Sequence, residues 1–285
     1  MKDLLLHLRL NMSIVLAPIF LWGFYLAQGT FNNNFWIGFI AFHLFLYGGS
    51  NAYNSYYDKD EGPIGGLKNP PKVTESLLYF SLFCKYIGLA LSYIINSPFF
   101  IIYLIFFIMS ICYSHPKTRW KASPFLSVAT VGFGQGGLAF IGGWFTQTTS
   151  IYNYGLFIFG LFTTVFMSMG VYPLTQLYQI EEDKNRNDIT FAVYWGVKKS
   201  FIFSMICIFI SGISILSVLY LQAKFYHLLI IGAFYLIFTI QILFWAKNFD
   251  EKNIMDNYDK IMKLNYSNAL GFMGYILLST FHLLP

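Results

Sequence analysis

Asn51-Ala52-Tyr53-Asn54-Ser55-Tyr56-Tyr57-Asp58-Lys59-Asp60-Glu61-Gly62-Pro63 closes a long apolar run. A second stretch, Gln176-Leu177-Tyr178-Gln179-Ile180-Glu181-Glu182-Asp183-Lys184-Asn185-Arg186-Asn187-Asp188, closes another. Each carries two amides and an acid at relative positions 0, 3 and 7: Asn51, Asn54 and Asp58 in the first, Gln176, Gln179 and Asp183 in the second. That spacing predicts one face of a helix. Acids that close apolar spans lie at a membrane surface. Two amide–carboxylate ends of this kind facing one another suit divalent cations and a polyanion.

The surrounding chain reads as a membrane protein. Charged residues are 11% of it, apolar residues 56%, and the mean hydropathy is +0.56. A soluble domain carries about a quarter charged residues. Lysine and arginine exceed the acids by only five, 18 against 13, too little to imply nucleic-acid binding, and no nucleic-acid partner is expected. Cys84, Cys112 and Cys207 sit within apolar runs, with neither a disulfide framework nor metal-ligand spacing. Lys2, Asp3, His7 and Arg9 precede the first apolar run in the manner of a signal peptide. No small-residue cleavage site follows, so the run reads as a retained first helix.

A bilayer core takes roughly 20 apolar residues per helix. Nine stretches satisfy this: about 12–29, 34–54, 76–95, 98–114, 124–146, 152–178, 200–220, 225–246 and 266–284. The fold expected is all-α, a polytopic membrane protein of nine transmembrane helices arranged as two four-helix units plus a ninth helix. Pro18 and Pro173 fall inside spans, where they can kink a helix. Gly132, Gly134, Gly136, Gly137, Gly142 and Gly143 crowd the fifth span and allow close backbone approach.

The charges sort to one side. The N-terminus and the loops after spans 2, 4, 6 and 8 hold all thirteen acids. They hold every lysine and arginine except Lys224, with Lys85 counted as near that side within span 3. The positive-inside rule makes this side cytoplasmic. Acidic loops follow spans 2 and 6, and basic or mixed loops follow spans 4 and 8, a weak internal repeat.

In the first segment Glu61 lies three residues beyond Asp58, with Asp60 beside it, and Lys68 and Lys72 follow in the loop. Carboxylates beside lysines suit a magnesium–diphosphate group, the oxygens holding the metal and the ammonium groups the phosphates. In the second, Glu182 adjoins Asp183, and Arg186 and Asp188 complete the cluster. Between spans 4 and 5, Tyr113-Ser114-His115-Pro116-Lys117-Thr118-Arg119-Trp120-Lys121 places three cations within five residues, suited to phosphate oxygens. The second loop alone reads as a solvated helix end and the third as a topology signal, whereas the tyrosines and asparagines of the first extend back into its span, where polar groups are costly without a role. His115 is set aside as a loop histidine. Lys247 to Asn265 reads as an amphipathic surface helix with a lid or interfacial role, carrying Ile254, Met255, Tyr258, Ile261 and Met262.

Together these residues resemble a known family. Asn54-Ser55-Tyr56-Tyr57-Asp58 is similar to the first Asn-x-x-x-Asp signature of the UbiA superfamily of intramembrane prenyltransferases. Gln179-Ile180-Glu181-Glu182-Asp183 falls where that family has a second, Asp-x-x-x-Asp. Tyr113-Ser114-x-Pro116-x-x-Arg119-x-Lys121 resembles its loop after helix 4. The chain departs from the family at Gly62 and Gln179, where acids are usual. Either Glu61 and Glu182 take over, or one magnesium is held more weakly, or the chain is an inactive relative.

The resemblance implies one prenyltransferase-like domain over 1–285. It would transfer a prenyl chain from a polyprenyl diphosphate to an aromatic or other lipophilic acceptor, with Mg2+ as cofactor and membrane lipid as surroundings. Asn54, Asp58 and Asp183 would be catalytic, and Asp58, Glu61, Glu182 and Asp183 would hold the metal. Lys68, Lys72, Tyr113, Arg119 and Lys121 would bind the diphosphate. No base for the acceptor stands out among Tyr113, Asn51 and Asp60. The rival class is a non-enzymatic transporter or lipid-binding protein. A transporter places charges near the bilayer midplane with access from both sides, whereas here no acid lies mid-span.

Overall fold

The computed structural model describes residues 2–284, whose regular elements are helices, with one short bridge between Ile64 and Leu67 among the described residues. Seven helical stretches are long and apolar enough to cross a membrane: Lys2–Leu26, Ser76–Ile95, Ser97–Ser114, Pro124–Phe145, Tyr154–Gln176, Phe191–Leu221 and Phe225–Lys247. They match seven of the nine apolar runs of the sequence. The run 34–54 is also helical, but is divided into α3 (Asn33–Ile40), a wide π-helical stretch Ala41–Tyr47, and α4 (Gly48–Asp58). The run 266–284 falls in the later part of one helix, Ile254–Thr280, whose first turns carry Asp256, Asp259, Lys260 and Lys263. The amphipathic segment expected at the surface is therefore the start of the final helix rather than a separate element.

The chain forms two compact units. The first runs to Lys121 and takes in Leu138–Ser150; the second holds Ala122–Gly137 and the chain from Ile151. The boundary falls inside the fifth span instead of after the fourth, and the glycines there supply the reason. In the first unit α1 is Lys2–His7 and α2 is Leu10–Leu26, and α2 packs on Ala139–Phe145. A methyl on Gly143 would stand 1.9 Å from the Phe20 carbonyl oxygen, and one on Gly23 1.9 Å from that of Phe140. Two glycines thus let two backbones touch, as small residues do between membrane helices. Phe20, Trp22, Phe24, Phe35, Phe42 and Phe140 fill the surrounding core.

α5 (Ser76–Ile95) and α6 (Ser97–Ser114) complete the first unit. Lys85 of α5 is wholly buried there: its Nζ donates to Ser110 Oγ at 2.9 Å and lies 4.4 Å from the centre of the Tyr53 ring. An ammonium in apolar surroundings needs such partners.

In the second unit α7 (Pro124–Thr130) leads into a π-helical stretch, Val131–Leu138; α8 is Ala139–Phe145, placed above with the first unit. Gly136 lies against α9 (Tyr154–Gln176), where a methyl would stand 2.6 Å from the Thr164 carbonyl oxygen. α9 runs through Pro173 and packs extensively on α11 (Phe191–Leu221), with the short α10 (Ile180–Asn185) between them in sequence. α12 (Phe225–Lys247) and α13 (Ile254–Thr280) follow.

Candidate active site

The first polar cluster is built at the end of α4. The helix stops at Asp58 because Lys59 takes a left-handed conformation, φ 50°. Asn51, Asn54 and Asp58 accordingly share a helix face, as their spacing predicts. Glu61 does not extend that face: it is exposed in the loop beyond the helix end, with Asp60 half-buried beside it. The loop is pinned by hydrogen bonds between Ile64 and Leu67, and by Asn11 Nδ2 donating to the Gly66 carbonyl at 2.8 Å. Lys68 and Lys72 are exposed on it.

Asn51 is taken up in structure. Its Nδ2 donates to the Leu8 carbonyl at 3.1 Å, and its own carbonyl accepts from Arg9 at 3.2 Å. Asn54 Nδ2 donates to Ser114 Oγ at 3.1 Å, which fixes the amide one turn from Asp58. Tyr113 is half-buried in the last turn of α6.

Beyond Ser114 the chain turns back on itself. Arg119 N and Thr118 N donate to the His115 carbonyl, and Arg119 adopts a left-handed backbone, φ 37°. The turn delivers two cations to Asp58. Lys121 Nζ forms an ion pair with Asp58 Oδ1, and Arg119 Nη1 approaches the same oxygen at 3.8 Å. The Asp58 side chain is 4% exposed and that of Lys121 8%. His115 Nδ1 accepts from Lys117 N, and its ring packs edge-on against Tyr57, consistent with a loop histidine.

The second cluster differs from its sequence pattern. Gln176 ends α9, a turn holds Leu177 to Gln179, and only then does α10 begin. The Gln176 side chain accepts from Ala192 N at 3.1 Å, at the start of α11. The 0, 3, 7 face is therefore broken here, because Gln176 is spent on a contact 16 residues away.

On α10, Arg186 gathers three carboxylates: Asp183 at 2.7 Å, Glu182 at 3.3 Å and, through Nε, Asp188 at 3.5 Å. Thr190 Oγ1 donates to the other Asp183 oxygen at 3.1 Å. Asp183 and Asp188 are buried. Buried carboxylates require such compensation.

Among the described residues no three histidine, cysteine or acidic side chains converge as a ready-made metal cage. Magnesium does not need one: it binds through one or two carboxylates, keeps waters and takes phosphate oxygens. Asp58 is an oxygen donor at a span end, buried and ringed by cations that suit a polyanion, and its chemistry fits that mode.

The sequence singled out Asp58, Arg119, Lys121, Asp183 and Arg186, and the structure places the first three in one cluster and the last two in another. Sequence reasoning passed over Ser114 as the partner of Asn54, and Thr190 as the partner of Asp183. Ser114 stood inside the quoted Tyr113–Lys121 stretch, which was its only signal.

Seven apolar helices among the described residues define a polytopic, helical membrane protein, and two of its polar clusters hold buried aspartate side chains against lysine and arginine. The UbiA prenyltransferase family matches residues 16–265, and this chain is a member of that family. A comparison with curated proteins found no match.

Among solved structures, a UbiA homolog from Archaeoglobus fulgidus bound to GPP and Mg2+ is similar with a TM-score of 0.68 at 19% identity, covering 94% of this chain and 99% of that one. A UbiA homolog from Aeropyrum pernix K1 in its apo form gives 0.67 at 14% identity, covering 93% and 98%. A digeranylgeranylglyceryl phosphate synthase gives 0.66 at 17% identity, covering 95% and 96%. At these identities the likeness is one of fold.

Proposed function

We propose that this chain transfers a prenyl group from a polyprenyl diphosphate to a lipophilic acceptor, releasing pyrophosphate, and that it depends on magnesium. The observation that carries the reading is the buried Asp58 carboxylate with Lys121 and Arg119 gathered on one of its oxygens. Family membership supports it, as does the Archaeoglobus fulgidus homolog bound to GPP and Mg2+. The whole chain works as one catalytic domain of nine spans, with the acidic loops on the cytoplasmic face.

Asp58 and Asp183, with Glu61 and Glu182, are the carboxylates that would hold the metal. Magnesium, when bound, supplies a Lewis acid that draws charge from the diphosphate oxygens. Lys121 and Arg119 then exchange Asp58 for those oxygens, and Lys68 and Lys72 reach them from the loop. Asn54, oriented by Ser114, presents its amide beside the same group.

In the reaction the allylic carbon–oxygen bond breaks and its electron pair leaves with pyrophosphate. The acceptor's nucleophilic atom bonds to the allylic carbon and loses its proton. The cations stabilise charge that develops on the leaving oxygen, which is electrostatic catalysis. Tyr113 and Asp60 are the remaining candidates to take the proton, since the Asn51 amide is occupied. Binding of geranyl diphosphate to purified protein, followed by calorimetry with and without magnesium, tests the reading. Magnesium-linked binding supports it; absence of diphosphate binding refutes it.

A further inference from the structure

α11 and α12, with Phe249 just beyond, line an open groove of about 550 Å³ in the second unit. That lies within the roughly 300–1,000 Å³ typical of small-ligand sites. Phe201, Met205 and Ile242 form its floor, and Ile202, Ile206 and Leu243 stand exposed along its sides. On α11 the lining spans Val197 to Ile206, roughly 14 Å at 1.5 Å per residue. That length is about that of one leaflet of a ~30 Å hydrocarbon core.

Its charged end is distinctive. Lys198 lines the mouth, and Lys247 lies in sequence between the lining residues Ala246 and Phe249. Both are exposed, and among the described residues neither makes an ion pair. Lys199 stands next to Lys198, with Nζ 5.2 Å from the centre of the Trp195 ring. Tyr194 and Trp195 are exposed at this level, the place of an interfacial aromatic belt.

The backbone sharpens the charge. Gly196 breaks α11 with φ 75°, so the long part of the helix starts at Val197 and carries Lys198 and Lys199 in its first turn. Cations at the positive end of a helix are unfavourable. A negative group at the mouth relieves that repulsion.

We propose that the α11–α12 groove binds an anionic phospholipid of the same leaflet, its acyl chain along Phe201, Met205 and Ile242 and its phosphate at Lys198 and Lys247. Basic recesses between membrane helices hold such headgroups. The site is independent of the diphosphate chemistry proposed above and uses none of its residues.

The test is electron spin resonance on the full-length protein in phosphatidylcholine vesicles, with spin-labelled phosphatidylglycerol or phosphatidylcholine as the probe. The wild type should immobilise phosphatidylglycerol at least about fivefold in preference. Lys198→Gln combined with Lys247→Gln should remove the preference, and Ala246→Trp, which fills the groove but keeps the lysines, should reduce the immobilised fraction. Equal immobilisation of the two lipids would overturn the proposal, as would a preference that survives the double substitution. Displacement of the labelled lipid by glycerol phosphate would also overturn it, because the site would then recognise a soluble anion.

Discussion

Lys121 and Asp58 form a buried ion pair that joins the loop after α6 to the end of α4, 63 residues apart in sequence. Under the proposed function an anionic substrate competes for this pair, because a diphosphate offers Lys121 more negative charge than one carboxylate does. Removing one partner of a buried pair leaves an uncompensated charge and costs about 3–5 kcal/mol, whereas removing both with apolar groups can be neutral. Lys121→Met should therefore lower thermal stability in detergent. Lys121→Met with Asp58→Leu should restore stability while leaving the protein inactive. Thermal unfolding and turnover measured on the three proteins check this. Recovery of activity in the double variant would show that the pair is structural only.

Arg186 should be irreplaceable by lysine. Its planar fork reaches Asp183, Glu182 and Asp188 at once, and an ammonium cannot do so. Arg186→Lys should reduce the unfolding midpoint by about 5 °C or more, since two of those acids are buried. Glu182→Gln, which removes a more exposed contact, should change it far less, within about 1 kcal/mol. Differential scanning of the two variants side by side distinguishes a clamp from an ordinary surface contact.

The positions where the chain departs from its family give a graded test of magnesium affinity. Glu61→Gln and Glu182→Gln should each raise the magnesium concentration for half-maximal activity. Glu182 has a clear route to this effect, being adjacent to Asp183 on α10. Glu61 acts from the loop, since α4 ends before it. If Gln179→Asp lowers the magnesium requirement while both glutamate variants behave as wild type, the site runs with fewer carboxylates and the glutamates are not ligands.

Gly23 and Gly143 should not tolerate alanine. Each methyl would collide with a backbone oxygen at 1.9 Å, and backbone cannot rotate aside. Gly143→Ala should give a large loss of folded protein on size-exclusion chromatography, beyond the roughly 1–3 kcal/mol of ordinary overpacking. Gly232→Ala, where nothing stands within 4 Å, is the matched control and should behave as wild type.

The spans were legible because bilayer crossing is written in local composition, and seven of nine apolar runs recur as long apolar helices. The first acidic segment was legible for a similar reason: Asn51, Asn54 and Asp58 all precede the helix end at Lys59. The second misled, because Gln176 ends α9 and its side chain binds Ala192 N, a contact no local pattern reveals. The grip of Lys121 on Asp58 was hidden by its sequence separation and by the left-handed turn at Arg119. The unit boundary within the fifth span was equally hidden, since glycines on both halves look alike while Gly136 meets Thr164 and Gly143 meets Phe20.

Prenyl transfer through the two aspartates is tested most directly by pyrophosphate release from purified full-length protein. The assay would supply a series of polyprenyl diphosphates and lipophilic acceptors, with and without magnesium, and would compare the wild type with Asp58→Asn and Asp183→Asn. The expected result is magnesium-dependent release by the wild type and a loss of at least about 100-fold in each variant, the scale of a lost transition-state contact, at unchanged protein level. Release that is independent of magnesium, or near-normal turnover in both variants, would contradict it.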